Sequence, residues 1–293
     1  MVCLQIFLII FLTKFSIASN VDIENLSIYN YHLSTGIPEA ARLMASEAKY
    51  LAYSSINQVV GGRATDISHV PYQAGLVIKV LRLLTSICGG SLITPTRVVT
   101  AAHCIYDGNT RAQDITVVLG SSHIFSGGER MDSDGSVIHT DWNPNTTEND
   151  IAIVFISPVN FTDVIEPIRL PSQHELNENF IGWTALASGF GLTKSGGTIP
   201  RNQYLNSVHL KIISNEQCQA VYGDIVRATN ICTDGSDGRG TCNGDSGGPL
   251  TVDNKGKRIL IGITSFGASA GCDKGFPAAY TRVTSYVSWI LTI

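Results

Sequence analysis

The sequence predicts an all-β fold, and three observations carry that prediction. From Val59 onward, short apolar runs alternate with turn residues, the texture of a sandwich or barrel. Glycine is abundant, 28 in 293 residues, as suits a chain that turns often. Charged residues make up 15%, against about 25% for an average soluble domain, and 44% hydrophobic residues suffice for a sizeable core. Taken alone, this pattern permits two lobes without requiring them.

In chain order, Val2 to Leu12 is an apolar run too short to span a bilayer, followed by the small-x-small triplet Ser16, Ile17, Ala18. Residues 1–18 therefore read as a signal peptide and the product as secreted. No second apolar run reaches transmembrane length, so no membrane association is expected. Residues 19–58 carry no cysteine and no strand-like run. After Pro38, the residues Ala40, Leu43, Met44, Ala48 and Leu51 recur at helical intervals and predict one amphipathic helix in a pro-segment. The texture changes at Val59, Val60, Gly61, Gly62, where the domain 59–293 begins. Strands are expected in Ala74 to Leu84, Arg97 to Ala101, Ile115 to Leu119 and Ile151 to Ile156. A second set covers Thr184 to Ser188, Tyr204 to Ile213, Leu250 to Val252, Ile259 to Ser265 and Ala278 to Val283. Ile165 to Pro171 reads as the passage between two halves, and Tyr286, Trp289 and Ile290 fit one face of a short C-terminal helix.

The net charge of −4 and pI near 5.9 offer no basic face, so no nucleic-acid partner is expected. Of seven cysteines, Cys3 leaves with the signal peptide. The remaining Cys88, Cys104, Cys218, Cys232, Cys242 and Cys272 can pair completely in an oxidising compartment, in many connectivities. No C-x-x-C pair supports zinc. Asn25, Asn145 and Asn160 sit in glycosylation sequons.

The chemistry concentrates in Thr241 to Leu250, which reads Thr-Cys-Asn-Gly-Asp-Ser-Gly-Gly-Pro-Leu. A serine hydroxyl is a nucleophile at neutral pH only if a base takes its proton and N–H groups receive the oxyanion. Glycine at 244 lets the backbone turn its N–H, with that of Ser246, toward one point. Upstream lie Thr100, Ala101, Ala102, His103, Cys104 and then Asn149, Asp150, Ile151, Ala152, Ile153. These three stretches, in the order His, Asp, Ser, resemble the motifs of the chymotrypsin family of serine endopeptidases.

The resemblance covers Val59 to the C-terminus. It implies two six-stranded antiparallel β-barrels with the active site in the cleft between them. It implies His103 as base, Asp150 as its orienting carboxylate, Ser246 as nucleophile, and the Gly244 and Ser246 N–H groups as the oxyanion hole. Activity should then rise with pH as His103 sheds its proton. It pairs Cys88 with Cys104, Cys218 with Cys232 and Cys242 with Cys272. It makes the chain a zymogen: a cut before Val59 frees an ammonium that pairs with Asp245. Gln58 departs from the Arg or Lys common at that place, which leaves the activating protease unidentified. In the specificity pocket, Gly240 forms the floor and Gly267 and Ala278 the walls. With no carboxylate there, cleavage after Phe, Tyr, Leu or Met is expected, a chymotrypsin-like or brachyurin-like preference. Ser265, Phe266 and Gly267 resemble the edge strand that pairs with extended substrate. No cofactor or metal is expected; Gly120 to Asp134 has no calcium-loop spacing. Expected partners are protein or peptide substrates, an activating protease and protein inhibitors, with a monomeric enzyme. A silent binding homologue would lack a triad member, and an α/β hydrolase would carry the order Ser, Asp, His.

Overall fold

The computed structural model describes residues 22–54, 66–192 and 204–293. Its strands form two antiparallel sheets, one from each half of the protease region. The first holds β1 (Gln73–Val80), β2 (Leu84–Thr94), β3 (Arg97–Thr100), β4 (Asp114–Leu119), β5 (Glu129–Asp132), β6 (Gly135–Ile138) and β7 (Ala152–Phe155). Their spatial order is β5-β4-β1-β2-β3-β7-β6. This is seven strands where the family resemblance implied six. The two ends explain the difference: only Ser133 and Asp134 separate β5, which pairs with β4, from β6, which pairs with β7. Gly135 makes the corner at φ +137°, a conformation that costs glycine little. β5 and β6 thus act as one bent strand that wraps the sheet on itself.

The second sheet is a closed barrel of β8 (Thr184–Gly189), β9 (Asn206–Ile213), β10 (Asn230–Thr233), β11 (Pro249–Asn254), β12 (Lys257–Phe266) and β13 (Ala278–Arg282). The passage between the halves touches both: Ile168 N–H donates to Leu92 O at 2.8 Å, and Leu260 N–H donates to Arg169 O at 3.0 Å.

β2 escapes a sequence reading because its centre, Cys88, Gly89, Gly90, Ser91, is poor in strand formers. The glycines are there for close approach. A Cβ on Gly89 would lie 2.9 Å from Gly248 Cα, and one on Gly90 would lie 2.7 Å from Val98 Cγ1. Pairing with β1 from Gln73 to Val80 overrides the local propensity.

Three α-helices are present among the described residues: α1 (Ile37–Ser54), α2 (Asn215–Tyr222) and α3 (Val287–Thr292). α2, which was not predicted from the sequence, opens on a capping box in which Ser214 and Gln217 satisfy each other's backbone N–H. α1 lies where the periodicity placed it, and of the expected apolar face Ala40 and Leu43 are buried, while the Leu51 side chain lies outside the described ones. Met44 and Ala48 are exposed, while Glu39, Ala40, Leu43, Ser46 and Glu47 are buried. The reason is that α1 packs on the first sheet partly through polar contacts, so Ala40 and Leu43 join that sheet's core while Glu47 bonds to a loop. Three disulfides, Cys88–Cys104, Cys218–Cys232 and Cys242–Cys272, close loops of 16, 14 and 30 residues. Each restricts the unfolded chain by roughly 3 kcal/mol. No helix among the described residues is long and apolar enough to cross a membrane.

Candidate active site

The turn after β3 carries His103, and the segment before β7 carries Asp150; both side chains are wholly buried. Asp150 Oδ2 lies 2.8 Å from His103 Nδ1, and Oδ1 accepts the His103 backbone N–H at 2.9 Å. A carboxylate held at two points by the residue it orients cannot swing away, which fixes the imidazole's rotation. Two further bonds come from the other barrel. Ser265 Oγ in β12 donates to Asp150 Oδ2 at 2.6 Å, and Thr281 Oγ1 in β13 donates to the Asp150 carbonyl at 2.7 Å. Ser265 was singled out in the sequence for another reason, and Thr281 was missed. Neither carries a local signal, since each meets Asp150 only through tertiary packing.

Ser246 sits in the turn before β11 and is 7% exposed. Gly244 and Gly247 take φ +96° and +80°. A Cβ on Gly247 would meet Thr100 Oγ1 at 2.2 Å and Gly89 O at 2.5 Å, so the turn is pressed against β2. The Ser246 carbonyl accepts from Gly89 N–H at 2.7 Å, and Gly247 N–H donates to Thr264 O at 2.8 Å. Among the described residues, neither the Gly244 nor the Ser246 N–H donates to a protein acceptor, although both residues are buried. Buried backbone donors are rarely left so.

Asp245 points the other way. Its Oδ1 accepts from Gly191 N–H and its Oδ2 from Cys242 N–H, both at 2.8 Å. Burial pushes its carboxyl up to about 6, against the lowering effect of those two donors. Beside it lies a cavity of about 220 Å³, lined in part by Ser188, Gly189, Gly191, Val208 and Asp245. Gly191 was not anticipated; its chain neighbourhood gives no hint of contact with Asp245. Val59 lies outside the described residues.

Gly240, Ser265, Phe266, Gly267 and Ala278 line one pocket with Ser246, joined by Phe276, which the sequence reading did not include. Among the described residues, no carboxylate lines it. Asp273, a charge close in sequence, is not among the lining residues and lies 3.6 Å from Lys274 Nζ. Cys88, His103 and Cys104 cluster as metal ligands would, but the two sulfurs are bonded to each other and cannot ligate.

The family model described as Trypsin matches residues 59–290. The chain belongs to the trypsin family of serine proteases. It is 40% identical over 235 residues to the collagenase of Hypoderma lineatum, covering 80% of this chain and 86% of that protein. It is equally 40% identical over 238 residues to the brachyurin of Leptuca pugilator, covering 80% of this chain and 97% of that one. The solved structure of HL collagenase superposes with a TM-score of 0.72 at 38% identity, covering 80% of this chain and 97% of its own. The matched region of this serine protease contains His103, Asp150 and Ser246; the segment 22–54 lies N-terminal to the family match.

Proposed function

We propose that this serine protease is secreted as a zymogen and hydrolyses peptide bonds after large apolar residues, with His103, Asp150 and Ser246 as its catalytic triad. The observation that carries the reading is the buried His103–Asp150 pair, whose Nδ1 is engaged while Nε2 is buried without a partner among the described residues. In the first step Ser246 Oγ attacks the substrate carbonyl and its proton passes to His103 Nε2. Asp150 stabilises the imidazolium, and the oxyanion takes hydrogen bonds from the Gly244 and Ser246 N–H groups. Collapse breaks the peptide bond, the leaving amine takes the proton from Nε2, and an acyl-serine remains. Water then repeats the sequence and frees the acid.

The absence of a carboxylate among the pocket's lining residues supports an apolar side chain there, since a buried guanidinium or ammonium would have no counter-ion. Gly267 leaves open space where a Cβ would stand, which favours a large group. The cavity beside Asp245 supports activation by a cut after Gln58: a freed Val59 ammonium could pair there with a carboxylate whose ionised form burial disfavours. Asn25, Asn145 and Asn160 are all exposed, as glycosylation requires.

The test is to cut the chain after Gln58 and expose it to a fluorophosphonate and to a peptide library. Labelling confined to Ser246, with cleavage after Phe, Tyr, Leu or Met, is the expected result. Collagen joins the panel because a 40%-identical relative is a collagenase. Cleavage dominated by Arg or Lys would overturn the pocket argument, and no labelling would overturn the catalytic one.

A further inference from the structure

The segment 22–54 runs through the cleft of this protease and touches it at three places. The first is the sheet edge. Leu26 forms an antiparallel bridge with Ala268, Ser27 N–H donates to Gly267 O at 2.9 Å, and Ser269 N–H donates to Asn25 O at 2.9 Å. Gly267 N–H donates in return to Ser27 Oγ at 3.0 Å. This is strand addition to the edge where an extended peptide would lie. Leu26 and Ile28 are buried against Phe266 and Tyr222.

The second contact is at the reacting atoms. Residues 27–30 turn, with Asn30 at φ +48°, and the side chain of Tyr31 then enters the pocket that Ser246 lines. Tyr31 is fully buried, with its ring edge-on to His103 at 4.8 Å between centroids. Its hydroxyl donates to Ile87 O at 2.8 Å, and Tyr31 lines the same pocket as Ser246. The ring thus stands against His103, whose Nε2 has no partner among the described residues, and fills space beside Ser246 that a substrate would need. A phenol also offers Ser246 no carbonyl to attack.

The third contact is with the first sheet. A Cβ on Gly36 would lie 2.0 Å from Ser86 Oγ and 3.1 Å from the Tyr31 ring, so any side chain there would have to push that hydroxyl aside. His32 Nδ1 lies 2.9 Å from the same hydroxyl. Further along, the Glu47 carboxylate accepts from Ile124 N–H, Phe125 N–H and Ser126 Oγ at 2.9 to 3.1 Å.

We propose that residues 22–54 are an inhibitor carried by the chain itself, which occupies the cleft through Tyr31 and stays bound after the bond following Gln58 is cut. The inference rests on Ser246 and His103 being nucleophile and base. Every contact described above joins residues 22–54 to residues 66–293, so a cut after Gln58 breaks none of them. It ends the tether, and with it the high effective concentration that a covalent link maintains. Activation is then two events: the cut that matures the domain, and release of the segment on dilution or by its further digestion.

The experiment uses the full chain with residues 55–58 replaced by the recognition sequence of a processing protease. After the cut, fluorophosphonate labelling of Ser246 and peptide hydrolysis per molecule are measured from micromolar to nanomolar enzyme. The wild-type segment should make labelling slow when concentrated and faster on dilution. Tyr31→Ala and Gly36→Leu should label fast throughout, by roughly thirtyfold at the concentrated end, as befits loss of a buried anchor. The dilution series needs no substitution, so it decides the matter even where a variant folds poorly. Wild type that labels at full rate when concentrated, with no dilution effect, would overturn the inhibitor and leave the protease reading standing. No labelling in any form at any concentration would overturn both.

Discussion

The two sides of the cleft are built by different means. On the His103 side the geometry is complete: Asp150 takes His103 at two points, Ser265 Oγ at a third and Thr281 Oγ1 on its carbonyl, all in the dry interior. On the Ser246 side the chain turns through positive-φ glycines, two buried N–H groups lack acceptors among the described residues, and the neighbouring carboxylate is strained by burial. The first side is held by neutral and charged hydrogen bonds that exist as soon as the barrels fold. On the function proposed above, the partners of the second side's groups come from elsewhere, an oxyanion and an ammonium. Under that proposal the protease can be folded and inert, because maturation has to finish one side alone.

Substitutions on the two sides should therefore fail differently. Ser246→Ala in the matured enzyme should lower kcat by about 10⁶-fold while leaving the His103–Asp150 hydrogen bonds and the thermal transition unchanged; a small loss would remove Ser246 from its role. Asp150→Asn should cost about 10⁴-fold in kcat, because an amide can hold the ring in the wrong tautomer. The nitrogen and oxygen of that amide also cannot both accept from His103 and Ser265, so a fall in melting temperature should accompany it. Asp245→Asn acts at one remove, through the order of the oxyanion donors, and should cost about 10²- to 10³-fold in kcat of the matured enzyme.

In the uncut chain the Asp245 substitution should have the opposite sign, on stability. The carboxyl titrates near 6 when folded, against an ordinary 3.8. Folded protein thus holds a proton that unfolded protein has lost, and stability falls as pH rises from about 4 to 6, by on the order of 3 kcal/mol. Wild type should lose that stability relative to Asp245→Asn across this window. Once an ammonium pairs with the carboxylate the difference should vanish. Parallel melting curves for the two uncut proteins would show that Asp245 is not the strained group.

How much of this was legible in the sequence divides along the same line as the two sides. His103, Asp150 and Ser246 stand in short strings whose residue types have chemical meaning, and the pocket residues Gly240, Gly267 and Ala278 stand at fixed offsets from them. The strand runs with strong alternation or apolar character, such as β1, β4 and β12, lie where periodicity placed them. What was hidden depends on tertiary contact. β2 is a strand because β1 and β3 pair with it, despite its glycines. Thr281 and Gly191 matter through bonds spanning 131 and 54 residues. The segment 22–54 showed a helix, but nothing in Leu26, Ser27 or Tyr31 announces a cleft as its destination; their order becomes meaningful only against the edge at Gly267 and the ring of His103.

His32 provides the mildest test of the contrast, since it asks whether acid loosens the segment before it disturbs the triad. The ring is buried, and burial holds it down to about 4 from an ordinary 6.5, opposed by Asp107 and aided by the nearby His103. The groups facing it are the Ser86 hydroxyl at Nδ1, the Asp107 carboxylate on its backbone N–H, and the rings of Tyr31 and His103; Nε2 has no acceptor among the described residues. The docked segment thus requires neutral His32, whereas the released segment can take up a proton. Affinity should be steady above about 6.5, fall as pH drops toward 4, and level off below that. Between pH 7 and 5 the loss should be roughly twentyfold. The dilution midpoint of the cut chain measures it directly, and His32→Asn, which keeps a polar group near Ser86 without the titration, should hold nearly the same midpoint at both pH values. If wild type and His32→Asn shift alike, the acid response belongs to another group, and the segment's grip on the cleft is independent of its only histidine.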